Sequence, residues 1–323
     1  MAASRAMLTA GPRSAWGVEV MGEEQGRRKR MSELVHAVQN EVCAAVTALD
    51  GSQFREDVWE RPGGGGGWSR VLEGGPIIEK GGVNVSAVHG VLPPEAAKAM
   101  RVRRTELPPE PVFFATGISL VLHPRSPRVP TVHANFRYLD VSGGGWWFGG
   151  GADLTPWLYD EADATHFHSV WKSTCDRHDV GFYPTFKATC DRYFHLAHRG
   201  ETRGVGGIFF DDLEDDFDRS FGFVADCARS VVAAWLPIAE RRRNVPTDEA
   251  DRLWQLRRRS RYAEFNLVYD RGTTFGLKTD ARVESVLMSM PPLCRWDVDV
   301  VPRAGTDEER LVEVLRKPRE WAR

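Results

Sequence analysis

The residues best suited to chemistry lie between His123 and Tyr138. Thr131-Val-His-Ala-Asn-Phe-Arg-Tyr138 reads as a strand, and its two-residue period puts His133, Asn135 and Arg137 on one face and Val132, Ala134, Phe136 and Tyr138 on the other. A proton donor, an amide and a guanidinium on one wall suit recognition of an anionic, hydrogen-bonding ligand. A solvated polar stripe gives the same alternation, although such stripes usually hold Lys, Glu and Thr.

Gly149-Gly-Gly-Ala-Asp-Leu-Thr-Pro156 sets one carboxylate, Asp153, just beyond glycines that let backbone approach a ligand closely, which makes it the first choice for a catalytic acid. An Asp ahead of a helix serves equally as a cap, and the local sequence does not separate the two roles. No G-x-G-x-x-G between strand and helix and no Walker lysine accompanies these glycines, so a nucleotide cofactor is not expected.

Nine histidines raise the question of metal. His166 and His168, two apart on an expected helix, point about 200° apart and cannot chelate together. His195 and His198, three apart on the next expected helix, share a face. There is no H-E-x-x-H and no compact 2-His-1-carboxylate pattern, so no catalytic metal is expected. Asp211 and Asp212 end the apolar run Ile208-Phe-Phe210, where they either line a cleft or simply terminate a strand. The arginine runs at 241–243 and 257–261 read as solvated helix faces. Arg271, beside Asp270 in an expected tight turn, and Arg282 sit singly in loops, where a fixed guanidinium suits a ligand clamp.

The elements that must position these groups follow from periodicity. Residues 1–27 lack it and read as a flexible tail, with 28–323 as a single catalytic domain. From Ser32 a helical pattern of Leu34, Val35, Val38, Val42, Val46 and Leu49 runs to Gly51. Short β-like pieces over 54–90 surround Gly63 to Gly67, expected as a mobile loop. Strands at 113–123 and 131–141 are joined too closely for a helical crossover and must be antiparallel. Gly143 to Gly151 reads as a glycine-flanked aromatic turn. Helices are expected at about 159–178, 183–198, 216–241 and 249–259, and strands at 205–210, 261–269 and 273–278. Strands mostly adjoin strands, which predicts an α+β fold built on one large antiparallel sheet with helices packed on it.

Composition narrows the ligand class. Lys plus Arg number 43 against 45 Asp plus Glu, so the chain lacks the overall basic field of a non-specific nucleic-acid binder, and no nucleic-acid partner is expected. Only seven of the 43 cations are Lys. That arginine surplus fits either a multiply anionic small molecule or the codon usage of a GC-rich genome. Five cysteines, without a C-x-x-C, indicate neither a disulfide framework nor a zinc site and point to a reducing compartment. The apolar stretch Val112 to Leu122 is too short to span a bilayer. The first eighteen residues faintly resemble a transit peptide but lack a signal-peptide core. The expected compartment is the cytoplasm, with the mitochondrion as the alternative.

Five longer motifs carry a resemblance: Gly82-Val-Asn-Val-Ser-Ala-Val-His-Gly90, the His123 to Tyr138 block, Trp146-Trp-Phe-Gly-Gly-Gly-Ala-Asp-Leu-Thr-Pro156, His198-Arg-Gly-Glu-Thr-Arg-Gly-Val-Gly-Gly-Ile-Phe-Phe-Asp-Asp-Leu213 and Arg261-Tyr-Ala-Glu-Phe-Asn-Leu-Val-Tyr-Asp-Arg-Gly-Thr273. From about Met31 to its end the chain resembles the oxygen-dependent coproporphyrinogen III oxidases of haem biosynthesis. The resemblance implies a homodimer with no organic cofactor, each subunit a large antiparallel sheet flanked by helices on both faces, with the active-site cleft between sheet and helices. Its substrates are coproporphyrinogen III and dioxygen, and the ring A and B propionates are oxidatively decarboxylated to vinyl groups, giving protoporphyrinogen IX. It also implies residue roles. Ser119, the Asn135-Phe136-Arg137 segment and the Asp280-Ala281-Arg282 turn match substrate-contact positions, and His133 matches a proposed proton donor. Asp153, Arg203, Asp270 and Arg271 match other cleft positions, Asp153 being expected to accept a pyrrole NH. Some bacterial members are assigned a divalent metal at histidines matching His123, His133, His168 and His198; the expectation here is none. The competing classes are a tetrapyrrole carrier without turnover and a metal-dependent oxygenase using those histidines. The turn before Arg282 reads Asp-Ala where relatives often have Gly or Ser, and the pentaglycine is unusual for the family.

Overall fold

The computed structural model describes residues 22–322 except Arg103, Thr105, Thr279, Asp280 and Ala281, and excepting the side chains of Ala99, Phe275 and Lys278. Helix α1 (Gly22–Asp50) leads into β1 (Arg55–Glu60), β2 (Gly65–Glu73) and β3 (Ile78–Val91). After α2 (Pro94–Arg101) come β4 (Val112–Pro124), β5 (Thr131–Val141) and β6 (Gly145–Thr155), then α3 (Glu161–Asp176) and α4 (Phe182–Tyr193). The short pair β7 (His195–Leu196) and β8 (Glu201–Thr202) precedes β9 (Gly206–Leu213), and the chain continues as α5 (Phe217–Arg242), α6 (Glu249–Val268), α7 (Arg271–Lys278), α8 (Val283–Leu287) and α9 (Asp307–Arg316). Seven strands form one sheet in the order β1-β2-β3-β4-β5-β6-β9, every neighbour antiparallel. The expected α+β architecture with one large antiparallel sheet is the observed one.

The two faces of the sheet meet different helices. Val83, Ile118, Leu120, Ala134, Phe136 and Ile208 on one face pack with α1 and α5 into the main core. On the other face Val121 packs with Trp157 and with Tyr262 of α6, and α8 lies across β2 and β3, where Ser285 meets Ser69 and Asn84. Helix α5 is long and apolar enough to cross a bilayer by length and composition alone, but its apolar side is core.

Several local expectations are corrected. Residues 22–27, read as tail, are the first turns of α1; they carry no apolar stripe because arginines dock them, Arg28 on Asp140 at 2.7 Å and Arg30 over the Phe221 ring at 4.5 Å. The remainder of the expected tail lies outside the described residues. Gly65 to Gly67 is not loop but strand β2, paired with β1 and β3. A Cβ on Gly66 would stand 2.2 Å from the Trp59 carbonyl oxygen, so bare backbone is what lets these strands meet. The expected aromatic turn at 143–151 is mostly strand β6, held by partners on both edges.

The stretch 261–278 is helical, not a hairpin. Trp254, Arg258, Tyr262 and Phe265 recur every three or four residues and are all buried, which is a helical stripe disguised by its arginine. Arg258 and Arg259 are therefore not solvated: the first pairs with Glu201 at 2.8 Å, and the second, fully buried, with Glu79 at 2.7 Å. Helix α4 stops at Tyr193, so His195 and His198 do not share a helix face.

Candidate active site

The alternation read from β5 is realised. His133, Asn135 and Arg137 are half-buried beneath α6 to α8, while Val132, Ala134, Phe136 and Tyr138 are core. Phe136 therefore cannot present its side chain to a ligand on the His133 wall. Antiparallel register converts this one strand into a surface, because residues directly opposite share a face. One row runs Val121, His133, Asp153, Gly207; the next runs Ser69, Asn84, Ser119, Asn135, Gly151, Phe209. Ser119 thus sits beside Asn135 on the same wall.

His133 Nδ1 donates to Asp153 Oδ1 at 2.7 Å; a carboxylate so placed can only accept, so the ring proton lies on Nδ1 and Nε2 is the nitrogen able to accept from another partner. Asp153 is 1 % exposed, and Arg203 Nη2 reaches its two oxygens at 2.8 and 2.7 Å. Burial pushes the Asp153 carboxyl up, but the charge of Arg203 and the bond from His133 outweigh it and hold the group below its ordinary value. Arg203 is itself enclosed by the rings of Phe194, Tyr262 and Phe265 and donates to Asn266 Oδ1 at 2.6 Å. Asp153 caps no helix and touches no open space, and Arg203 is too deeply buried to contact a ligand. Both contact His133, Asp153 at 2.7 Å and Arg203 at 3.5 Å from Nδ1, and neither is exposed.

The second half of the wall is cationic. Arg137 donates to Asn135 Oδ1 at 3.0 Å and to Asp211 Oδ1 at 3.0 Å, and Arg271 approaches Asp211 Oδ2 at 4.0 Å while lying over the Tyr193 ring. Arg271 opens α7, and Asp270 caps that helix by accepting from the Thr273 amide at 2.6 Å. Burial raises the Asp270 carboxyl, yet the Thr273 amide and the Tyr193 hydroxyl, at 2.8 Å, bring it below its usual range. Arg282, at the start of α8, pairs with Asp57 of β1 at the far end of the Ser69 to Asn135 row. Asp280 and Ala281 lie outside the described residues. Tyr193 and Phe209, which sequence reasoning passed over, stack at 4.2 Å and floor the space between Arg271 and Asn135. No local pattern marks them, since they are brought together only by the packing of α4 on β9.

The four histidines matched to a metal site do not converge. His123 is fully buried between Thr131 and the Ser289 carbonyl, His168 between Tyr183 and the Val205 carbonyl, and His198 between Tyr269 and Glu264. Among the described residues no group of three or more His, Cys, Asp or Glu side chains is placed to hold a metal ion.

The fold and wall together describe an α+β protein that offers an oriented imidazole and paired guanidiniums on one sheet face. The family model for coproporphyrinogen III oxidase matches residues 30–321, and the chain belongs to that family. It is 51% identical over 316 residues to the oxygen-dependent coproporphyrinogen-III oxidase, chloroplastic, of Glycine max, covering 94% of this chain and 82% of that protein. It is 52% identical over 305 residues to coproporphyrinogen-III oxidase 1, chloroplastic, of Arabidopsis thaliana, covering 91% and 79% respectively. To the oxygen-dependent coproporphyrinogen-III oxidase of Drosophila melanogaster it is 47% identical over 312 residues, covering 94% and 80%.

Proposed function

We propose that this chain performs the oxidation its relatives are named for, with coproporphyrinogen III as substrate and dioxygen as electron acceptor. The observation that carries the reading is the pairing, on one strand face, of a carboxylate-oriented His133 with Arg137. A substrate bearing propionates needs both: guanidinium groups to fix the reacting arm and a nearby imidazole to move a proton. Each turnover converts one propionic acid side chain and one O2 into a vinyl group, CO2 and H2O2; two electrons pass from the side chain through the pyrrole to oxygen.

The chain's own residues supply orientation and proton transfer. Nε2 of His133 faces the cleft between the sheet and α6 to α8, where it relays the pyrrole NH proton. Asp153 and Arg203 keep Nδ1 protonated and the ring aimed. Arg137, Arg271, Ser119 and Asn135 receive the carboxylates. The pyrrolic ring is electron-rich enough to reduce dioxygen once its NH proton is withdrawn, so the scheme contains no metal step and no resident cofactor. A homodimer is supported by the apolar side chains exposed between 267 and 301, including Leu267, Val268, Leu293, Trp296 and Val298. Five unpaired cysteines, four of them buried, fit a reducing compartment, and the cytoplasm is the compartment proposed.

Product analysis with coproporphyrinogen III, in air and under anaerobic conditions, tests the reading on chelator-treated protein. Protoporphyrinogen IX should form only with oxygen and at an undiminished rate after chelation. Activity abolished by the chelator and restored by one stoichiometric ion would move the chemistry to a metal.

A further inference from the structure

Asp211 sits where β9 is distorted. Phe210 pairs with Gly150 and Leu213 with Phe148, so two residues of β9, Asp211 and Asp212, stand opposite the single Gly149 of β6. This is a β-bulge, a device that re-aims side chains. Asp212 adopts φ +56°, a left-handed conformation that a non-glycine residue enters only at a cost. Ahead of Asp212 the two-residue period of β9 is intact, and it sets Asp211, like Phe209, on the His133 face. There one oxygen accepts from Arg137 at 3.0 Å and the other lies 4.0 Å from Arg271.

The opposite strand is shaped for the same contact. A Cβ on Gly149 would stand 2.5 Å from Asp211 Oδ1 and 2.8 Å from Arg137 Nη2, so only glycine lets the ion pair cross β6. Arg137 is thereby gripped on two sides, by Asn135 and by Asp211, which leaves its other N–H groups for a ligand. Asp211 also neutralises part of the charge of two facing guanidiniums, which would otherwise repel one another.

We propose that Asp211 is a positioning residue for substrate carboxylate: at the end of the regular part of β9 it holds Arg137 and Arg271 in the attitude that receives a propionate arm. The inference rests on the function proposed above and goes beyond it by assigning the carboxylate that organises the cationic wall.

Steady-state kinetics with coproporphyrinogen III on Asp211→Asn tests it. KM should rise roughly tenfold, the size of one misaligned charge-assisted hydrogen bond, with kcat within about twofold. Asp211→Glu should recover most of the loss, and the melting temperature should hardly move, because a partly exposed pair contributes little to stability. In an Arg137→Gln background Asp211→Asn should add clearly less than it costs alone, since only the more distant, mostly exposed Arg271 is left to position; this double variant, which buries no unpaired charge, decides the matter if the single one is insoluble. Unchanged KM, a lowered KM showing that Asp211 competes with substrate, or full additivity with Arg137→Gln would each overturn the assignment. Failure of the wild-type protein to consume coproporphyrinogen III would count against the function itself, whereas wild-type turnover with an indifferent Asp211→Asn counts against this inference alone.

Discussion

One terminal nitrogen of Arg203 lies 2.8 and 2.7 Å from the two carboxylate oxygens of Asp153, and neither side chain is more than 2 % exposed. Such a pair is not an economical way to add stability, since desolvation of both charges opposes their attraction. Its effect is directional. With Arg203 bridging both oxygens, Oδ1 also accepts from His133 Nδ1 at 2.7 Å, which fixes the imidazole against the pair.

Replacing Asp153 by Asn should therefore damage two properties at once. Loss of the charge that sets the His133 tautomer should lower kcat by about 10²–10⁴, the usual contribution of a general acid or base. The guanidinium of Arg203 would be left buried without its counter-ion, and stability should drop by about 3–5 kcal/mol. Adding Arg203→Met should restore the melting temperature and leave kcat low. Wild-type kcat in Asp153→Asn would show that His133 needs no carboxylate.

Arg271 is more than half exposed, lies over the Tyr193 ring and reaches toward Asp211. Arg271→Ala should leave the melting temperature within a degree or so and lower kcat/KM about ten- to hundredfold, as loss of a charge-assisted hydrogen bond worth about 1.5–3 kcal/mol would do. A variant that unfolds or changes its oligomeric state would identify Arg271 as structural instead.

Acid should weaken the fold earlier than carboxylate titration alone would cause. Burial lowers His168 to about 3, and it puts His123 well below its ordinary value; both rings are held neutral by their partners. In the unfolded chain these groups take up protons near pH 6.5, while the folded protein does not. The unfolded state then binds more protons, so the stability present above about pH 6.5 is lost as pH falls toward 3, by up to about 1.4 kcal/mol per pH unit for each ring. Urea midpoints measured from pH 7.5 to 5 should show this slope, and His168→Gln should remove about half of it. A flat profile would mean that the buried rings protonate freely.

Much of the site was legible locally. The two-residue period of Thr131 to Tyr138 is a property of the strand itself, so His133, Asn135 and Arg137 could be placed on one face before any partner was known. The glycine runs were not legible, because glycine carries no period and its conformation at Gly65 to Gly67 and Gly145 to Gly151 is imposed by strands on either side. The end of α6 was hidden for a different reason. Arg258 and Arg259 look like solvent residues, and only buried acids distant in sequence, Glu201 and Glu79, make their burial tolerable.

By itself the sequence determined the family, the antiparallel sheet and the residue types on one strand face, since these follow from motifs and short-range periodicity. Tertiary structure alone decided which charged groups are buried against one another and which stay partly exposed. Asp153 and Arg203 are fifty residues apart, and Arg137 meets Asp211 only because β6 presents a glycine where the two must cross. Burial and counter-charge are set by neighbours from other elements, and those neighbours enclose Asp153 between Arg203 and the imidazole of His133.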